Sequence, residues 1–187
     1  LAVLLADQLL FRIPLLLATP EQLHRSAVKA KAFTNLTLHI AAIGTALYFS
    51  ALKPEDRVAV KPHAAPIFHA MHYLAGNLEL DKMKRFRGYG GVQAYPSRTK
   101  DTDDVDFSTG SVGLGVAITS FASLIQDYIT CKKWGGGLTA GRMVALMGDA
   151  ELDEGNIYEC LQEGWKHNLR NVWWVIDYNR QSLDGII

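Results

Sequence analysis

The chain has 187 residues, 49% of them apolar, and 19 basic side chains balanced by 19 acidic ones. That length and composition exclude a disordered chain and suit one α/β domain with a core of its own. Balanced charge without a basic run gives no support to nucleic acid or an anionic membrane as a partner, so the expected partners are small molecules or other subunits.

In chain order, the opening LAVLLADQLLFRIPLLLA is apolar, but Asp7, Gln8, Arg12 and Pro14 interrupt it within the roughly 20 residues that a membrane span needs. It reads as an amphipathic or poorly formed helix. No basic segment and small-residue cleavage pattern marks it as a signal peptide. Helices are expected over 21–32, begun by the cap pattern Thr19-Pro20-Glu21, and over 37–52. A turn then leads into a short strand, Arg57 to Lys61. The next helix begins near Pro66 and is stopped by Gly76-Asn77. Residues 85–107, with their glycines, Pro96 and a run of charges, read as a long ordered loop or a lid, a kind of segment often tied to function.

STGSVGLG, residues 108–115, reads as a tight glycine turn opening a helix with small residues on one side, and Gly135 to Gly137 as a flexible connection. RMVALMGD (142–149) is a short buried strand, residues 152–168 a helix, and NVWWVIDYN (171–179) a second strand. Strand, helix and strand in this span form a βαβ unit with parallel strands and a right-handed crossover, which makes the fold class α/β, a parallel sheet flanked by helices. The chain starts at Leu1 and ends at Ile187 just past a strand and loop, so it is expected to be part of something longer: a helical segment over 1–35, then a ligand domain over 36–187 truncated at its C-terminal side.

The stretch MGDAELDEG concentrates Asp149, Glu151, Asp153 and Glu154 at the end of an apolar strand, where like charges repel unless water or a cation stabilises them. Parallel strands joined by a crossover present their carboxyl ends on one edge of the sheet, where open α/β folds bind ligands. Asp149 and Asn179 follow two such ends. A carboxylate, an amide oxygen and a loop carbonyl such as that of Gln181 are hard ligands for magnesium or calcium. Magnesium keeps few protein carboxylates and completes its octahedron with water and phosphate, so the implied ligand carries a diphosphate. The amides of Ala150 and Glu151, at the expected helix start, are placed to meet phosphate oxygens. The plain alternative is a helix cap at Asp149 and a turn at Asn179.

GDAELDEG followed by VIDYNRQSLDG resembles the thiamine diphosphate motif of the transketolase superfamily, and is most similar to the homodimeric type of pyruvate dehydrogenase, its decarboxylating component, through GDxExDE and Asn-x-Gln-x-Leu-Asp-Gly. STGSVGLG resembles the cofactor turn of that family. The resemblance implies a pyrophosphate-binding domain over 36–187 that takes thiamine diphosphate and Mg2+. Asp149, Asn179 and the Gln181 carbonyl would ligate the metal, with Gly148, Ala150, Glu151 and Asn179 around the cofactor. Gly110 and Val112 would line the turn near the aminopyrimidine. It also implies Glu154, His39 and His63 as catalytic residues, Glu154 facing the partner across a dimer interface, although Leu38 and Pro62 stand where the family has glycine before each histidine.

The implied function is 2-oxo acid decarboxylation with acetyl transfer, in a homodimer that needs a pyrimidine-binding domain or subunit to supply an activating glutamate. The alternatives are a transketolase, moving a two-carbon ketol unit between sugar phosphates, and a non-catalytic or degenerate cofactor-binding fragment. Cys131 and Cys160 show no CxxC or ligand spacing and are expected as reduced thiols, in the cytoplasm or alternatively a mitochondrial or plastid matrix. His63, His69 and His72 lack a carboxylate or cysteine to complete a zinc set. GSVGLG follows a loop and not a strand, against a dinucleotide fingerprint.

Overall fold

The computed structural model describes residues 38–182, so the expected helix over 21–32 and the segment 1–35 lie outside the described residues. Among the described residues, three strands form a wholly parallel sheet in the order β1-β2-β3: β1 Arg57–Val60, β2 Met143–Gly148 and β3 Val172–Asp177. Five helices accompany it among these residues: α1 Leu38–Ala51, whose last turn is π-helical, α2 Ala65–Leu74, α3 Leu80–Lys84, α4 Leu114–Cys131 and α5 Gly155–Lys166. Short 3-10 turns, Pro62–Ala64 and Asp149–Asp153, follow the ends of β1 and β2.

Strand side chains alternate between the two faces, and both faces of the central strand β2 are covered. Val58, Val60, Val144 and Leu146 pack with Ile40 and Leu47 of α1 and with Ile67, Phe68 and Met71 of α2. The intervening Ala145 and Met147 pack on the opposite face with Val116 and Ala117 of α4 and Ile157 and Cys160 of α5. The register pairs Val60 with Leu146 and Leu146 with Val175, so like faces align across all three strands. Helix α4 is long and apolar enough to cross a membrane. Its buried face is nevertheless built from small residues, Thr119, Ser120 and Ser123 among them, which lets it lie close to the sheet. A Cβ on Gly115 would stand 3.4 Å from Cβ of Ala59, the limit of that approach.

The loop that leads into α4 is fastened by the carboxylates of its charge run. Asp101 accepts from the amides of Gln93 and Ser97, both at 2.7 Å, and Asp106 accepts from the amide of Val58 at 2.9 Å. Asp103 meets Nδ1 of the buried His69 at 2.6 Å, while Nε2 of His69 lies 3.0 Å from the carbonyl of Gln93. A carbonyl can only accept, so Nε2 carries a hydrogen and a second proton is shared between Nδ1 and Asp103. These bonds occupy His69, and among the described residues no group of three His, Cys, Asp or Glu side chains is arranged to hold a metal, so the zinc alternative gains nothing.

At the opposite end of the sheet, Asp56 joins the starts of β1 and β2. It is buried and accepts from the amide of Lys53 at 2.9 Å, from the amide of Arg142 at 2.7 Å and from Nε of Arg142 at 3.0 Å. Arg142 in turn lies over the ring of Trp173 at 4.1 Å. Burial pushes the Asp56 carboxyl up, but the hydrogen bonds from the Arg142 side chain and the two amides outweigh it and hold the pKa at about 2. A depressed carboxylate stabilises the fold above its unfolded pKa and loses that contribution as pH falls through the folded one. Asp56→Asn is therefore expected to lose roughly 2 kcal/mol at pH 7, by urea unfolding, and to approach the wild-type stability as pH is lowered from about 4 towards 2. An unchanged difference across that range would contradict this account.

Candidate functional site

A cleft of about 360 Å³ opens at the carboxyl ends of the strands, lined by Lys61, His63, Val112, Gly148, Asp149, Ala150, Glu151, Asp153, Glu154, Asn179, Gln181 and Ser182. This is the edge at which parallel α/β sheets hold ligands. The fold thus gathers residues from after β1, from before α4, and from after β2 and β3. Of the residues singled out in the sequence, Gly110 and His39 are not part of this lining. Gly110 faces Tyr95, whose Cβ would lie 3.9 Å from an added Cβ. His39, on α1, has a half-exposed side chain with Nδ1 3.6 Å from Oδ1 of Asp177.

The floor of the cleft is a buried ion pair that the sequence does not announce. Lys61 follows β1 and Asp177 ends β3, on opposite sides of β2, and Nζ donates to Oδ2 of Asp177 at 2.7 Å with both side chains almost fully buried. The ammonium passes over Gly148, the last residue of the central strand. A Cβ there would stand 3.2 Å from Nζ and 3.8 Å from Cδ of Lys61. Glycine at this position thus leaves room for the bridge.

Above that floor the oxygens expected as ligands are held by backbone amides. Asp149 accepts from the amide of Ala150 at 3.0 Å and from the amide of Arg180 at 2.7 Å, the latter aimed by a positive φ of 57° at Arg180. Asn179 donates through Nδ2 to Oδ2 of Asp177 at 2.8 Å and accepts at Oδ1 from the amide of Gln181 at 2.9 Å. Each carboxylate oxygen has two lone pairs, so these single bonds leave Asp149 able to coordinate a cation. The carboxylate and the amide oxygen, together with the carbonyl of Gln181, make a hard donor set that fits a magnesium ion.

The expected α-helix does not begin at Leu152. Residues 149–153 form a 3-10 turn, and α5 starts at Gly155 with Glu154 as its N-cap, without a capping side-chain bond. The amides of Ala150 and Glu151 therefore do not open an α-helix, and that of Ala150 is already used by Asp149. The helix-dipole argument for phosphate at these two amides is corrected accordingly.

The four acids of this stretch differ in surroundings. Glu151 is 8% exposed, and its Oε1 has no hydrogen-bond partner. Burial pushes its carboxyl up, against the pull of Lys61 and the amides of Gly113 and Gly148. Asp153 and Glu154 are exposed at the rim. His63 is held below its usual pKa by partial burial and then by the charge of Lys61, so it is neutral at pH 7.

The turn before α4 depends on Gly113, which was not among the residues singled out. It has φ 77°, and a Cβ would lie 2.4 Å from Oδ1 of Asn156 in α5. Its position in the glycine-rich turn is the one signal the sequence gives.

The family described as "Transketolase, thiamine diphosphate binding domain" matches this chain over residues 48–187. A transketolase of Staphylococcus aureus is 28% identical over 125 residues, 66% of this chain and 19% of its own length. A pyruvate dehydrogenase E1 component of Corynebacterium glutamicum is 30% identical over 136 residues, 70% of this chain and 14% of its own length. The solved transketolase of Leishmania mexicana superposes with a TM-score of 0.70 at 21% identity, covering 83% of this chain and 27% of that one. This chain therefore spans less than a third of the relatives it resembles.

Gly113→Ala is expected to lower stability by about 2 kcal/mol or more, because the left-handed backbone and the contact with Asn156 both resist a Cβ. Gly155→Ala, with nothing within 4 Å of the added carbon, should be close to neutral in the same urea titration. Equal effects of the two would refute the role assigned to the turn.

Proposed function

The chain belongs to the transketolase family of thiamine diphosphate-binding domains, and we propose that its cleft anchors the diphosphate of that cofactor through a magnesium ion. Asp149 and Asn179 would ligate the ion through their side chains and Gln181 through its carbonyl. The observation that carries this reading is the charge of the lining. Asp149, Glu151, Asp153 and Glu154 surround the cleft, while Lys61 is already paired with Asp177. A diphosphate entering such a cleft meets net negative charge, and a divalent ion bridging it to Asp149 removes the repulsion.

The enzyme we propose is a pyruvate dehydrogenase-like 2-oxo acid decarboxylase. The acid-rich GDAELDE start and the NRQSLDG finish favour that reading over transketolase. Transketolase is the second reading, supported by relatives and solved structures bearing that name. When bound, the cofactor would supply the nucleophile and electron sink needed to break a carbon-carbon bond beside a carbonyl. This chain's own residues hold the diphosphate, orient the cofactor along the turn at Val112, and present neutral His63 to the substrate side, able to accept a hydrogen bond or a proton. Glu154, exposed at the rim, would face a second copy of the chain, and the pyrimidine-binding part would come from another domain or subunit.

Calorimetric titration of thiamine diphosphate tests the anchor. Binding is expected with Mg2+, and to weaken about tenfold or more both in EDTA and in Asp149→Ala. Binding indifferent to the metal and to Asp149 would overturn the reading. Once the chain is assembled with its pyrimidine-binding partner, release of carbon dioxide from carboxyl-labelled pyruvate supports the decarboxylase, and ketol transfer from a ketose phosphate supports the transketolase.

A further inference from the structure

Asn179 can serve a metal ion only if its amide is turned with the oxygen outward, and the amide of a free asparagine side chain can turn either way. In this chain the orientation is imposed from two sides, by the amide of Gln181, which donates to Oδ1 at 2.9 Å, and from below by Asp177. Oδ2 of Asp177 accepts from Nδ2 of Asn179 at 2.8 Å and from Nζ of Lys61 at 2.7 Å. Asp177 is fully buried, and its other oxygen has no hydrogen-bond partner among the described residues, with Nδ1 of His39 at 3.6 Å. A carboxylate cannot donate, so the group facing it must be the NH2 of Asn179 and not its oxygen.

We infer that Lys61 and Asp177 are positioning residues for the divalent cation. Lys61 holds Asp177 in place across Gly148, and Asp177 sets the amide of Asn179 so that Oδ1 faces the metal. The inference rests on the reading of Asn179 as a metal ligand. It adds that a lysine on the far side of the central strand governs that ligand without touching the ion. Gly148 belongs to the same device, since a Cβ there would stand 3.2 Å from the ammonium and press on the bridge.

Two neutral pairs separate orientation from charge. In Lys61→Met/Asp177→Asn the oxygen of the new amide can still accept from Nδ2 of Asn179, whereas in Lys61→Met/Asp177→Leu nothing at position 177 can. Neither pair leaves one member of the ion pair as a lone charge, and both remove the pull of Lys61 on Glu151 alike, so both should fold, as melting in EDTA will show. Mn2+ is then titrated, with thiamine diphosphate present, by the electron paramagnetic resonance of the free ion. The asparagine pair is expected to bind within about threefold of wild type and the leucine pair to be weaker by about tenfold or more, the usual scale for losing a partner that orients a ligand.

Equal affinity of the two pairs overturns the inference while leaving the metal site intact. Failure of the wild type to bind Mn2+ overturns the site itself, and the inference with it. Should the leucine pair not fold, the wild-type chain decides the matter by NMR without ligand. The side-chain NH2 of Asn179 should show slow exchange with solvent, and fast exchange there would refute the imposed orientation.

Discussion

The edge of the sheet that carries the cleft depends on one buried contact, the ion pair of Lys61 with Asp177 over Gly148. Burying two charges is costly, and the cost is recovered only when geometry is good and further hydrogen bonds satisfy the pair. Here both conditions are visible: the Nζ to Oδ2 distance is 2.7 Å, and Asn179 adds a second donor to the same oxygen. Replacing such a pair by apolar residues would be nearly neutral for stability, so stability alone does not explain why a lysine is buried there. What an apolar pair lacks is direction. The ion pair ties the ends of β1 and β3 across the central strand and gives the loop after β3 a fixed acceptor to form around.

The same economy of small residues and fixed acceptors runs through the rest of the domain. Helix α4 comes close to the sheet because Gly115, Thr119, Ser120 and Ser123 face it, and Thr119 returns its hydroxyl to the carbonyls of Gly115 and Val116, both at 2.9 Å. That approach places the turn at Val112 and Gly113 against the 3-10 turn after β2, with Asn156 occupying the space a side chain on Gly113 would need. The acidic loop before it is anchored at three points, to β1 through Asp106, to α2 through Asp103 and to itself through Asp101. Its run of aspartates forms a set of backbone and histidine acceptors, which is why a charge-rich segment can form one wall of the domain.

The α/β class and the shared edge of Asp149 and Asn179 were legible in the sequence because both follow from local signals: an apolar strand ending in Gly-Asp, an amphipathic helix, and a second strand ending in Asp-Tyr-Asn. A parallel crossover then leaves little freedom in where the two ends lie. Lys61 was not legible, because a lysine one residue past a strand looks like any exposed strand end until the order of the strands is known. Asp177 was hidden for the same reason, within an Asp-Tyr-Asn that reads as a turn. The start of α5 was misplaced by three residues because acids in a first turn favour an α-helix and a 3-10 turn alike. Gly110 and Gly113 lie in the same turn, and sequence alone does not say which of them has the left-handed backbone.

The acidic cluster that first drew attention to residues 149–154 is best understood as four groups with different electrostatic situations. Asp149 is held by two backbone amides, Asp153 and Glu154 are solvated, and Glu151 is buried with one oxygen lacking a partner. Removing a carboxylate from water without full compensation is unfavourable, and burial raises the Glu151 carboxyl for that reason. A cation held at Asp149, two residues from Glu151, would relieve that cost, while a bare diphosphate would make it worse. On the proposed reading, metal and diphosphate would be favourable together in this cleft and the anion alone would not. A dependence on a divalent ion would then arise from the whole set of lining charges and not from the ligating atoms alone.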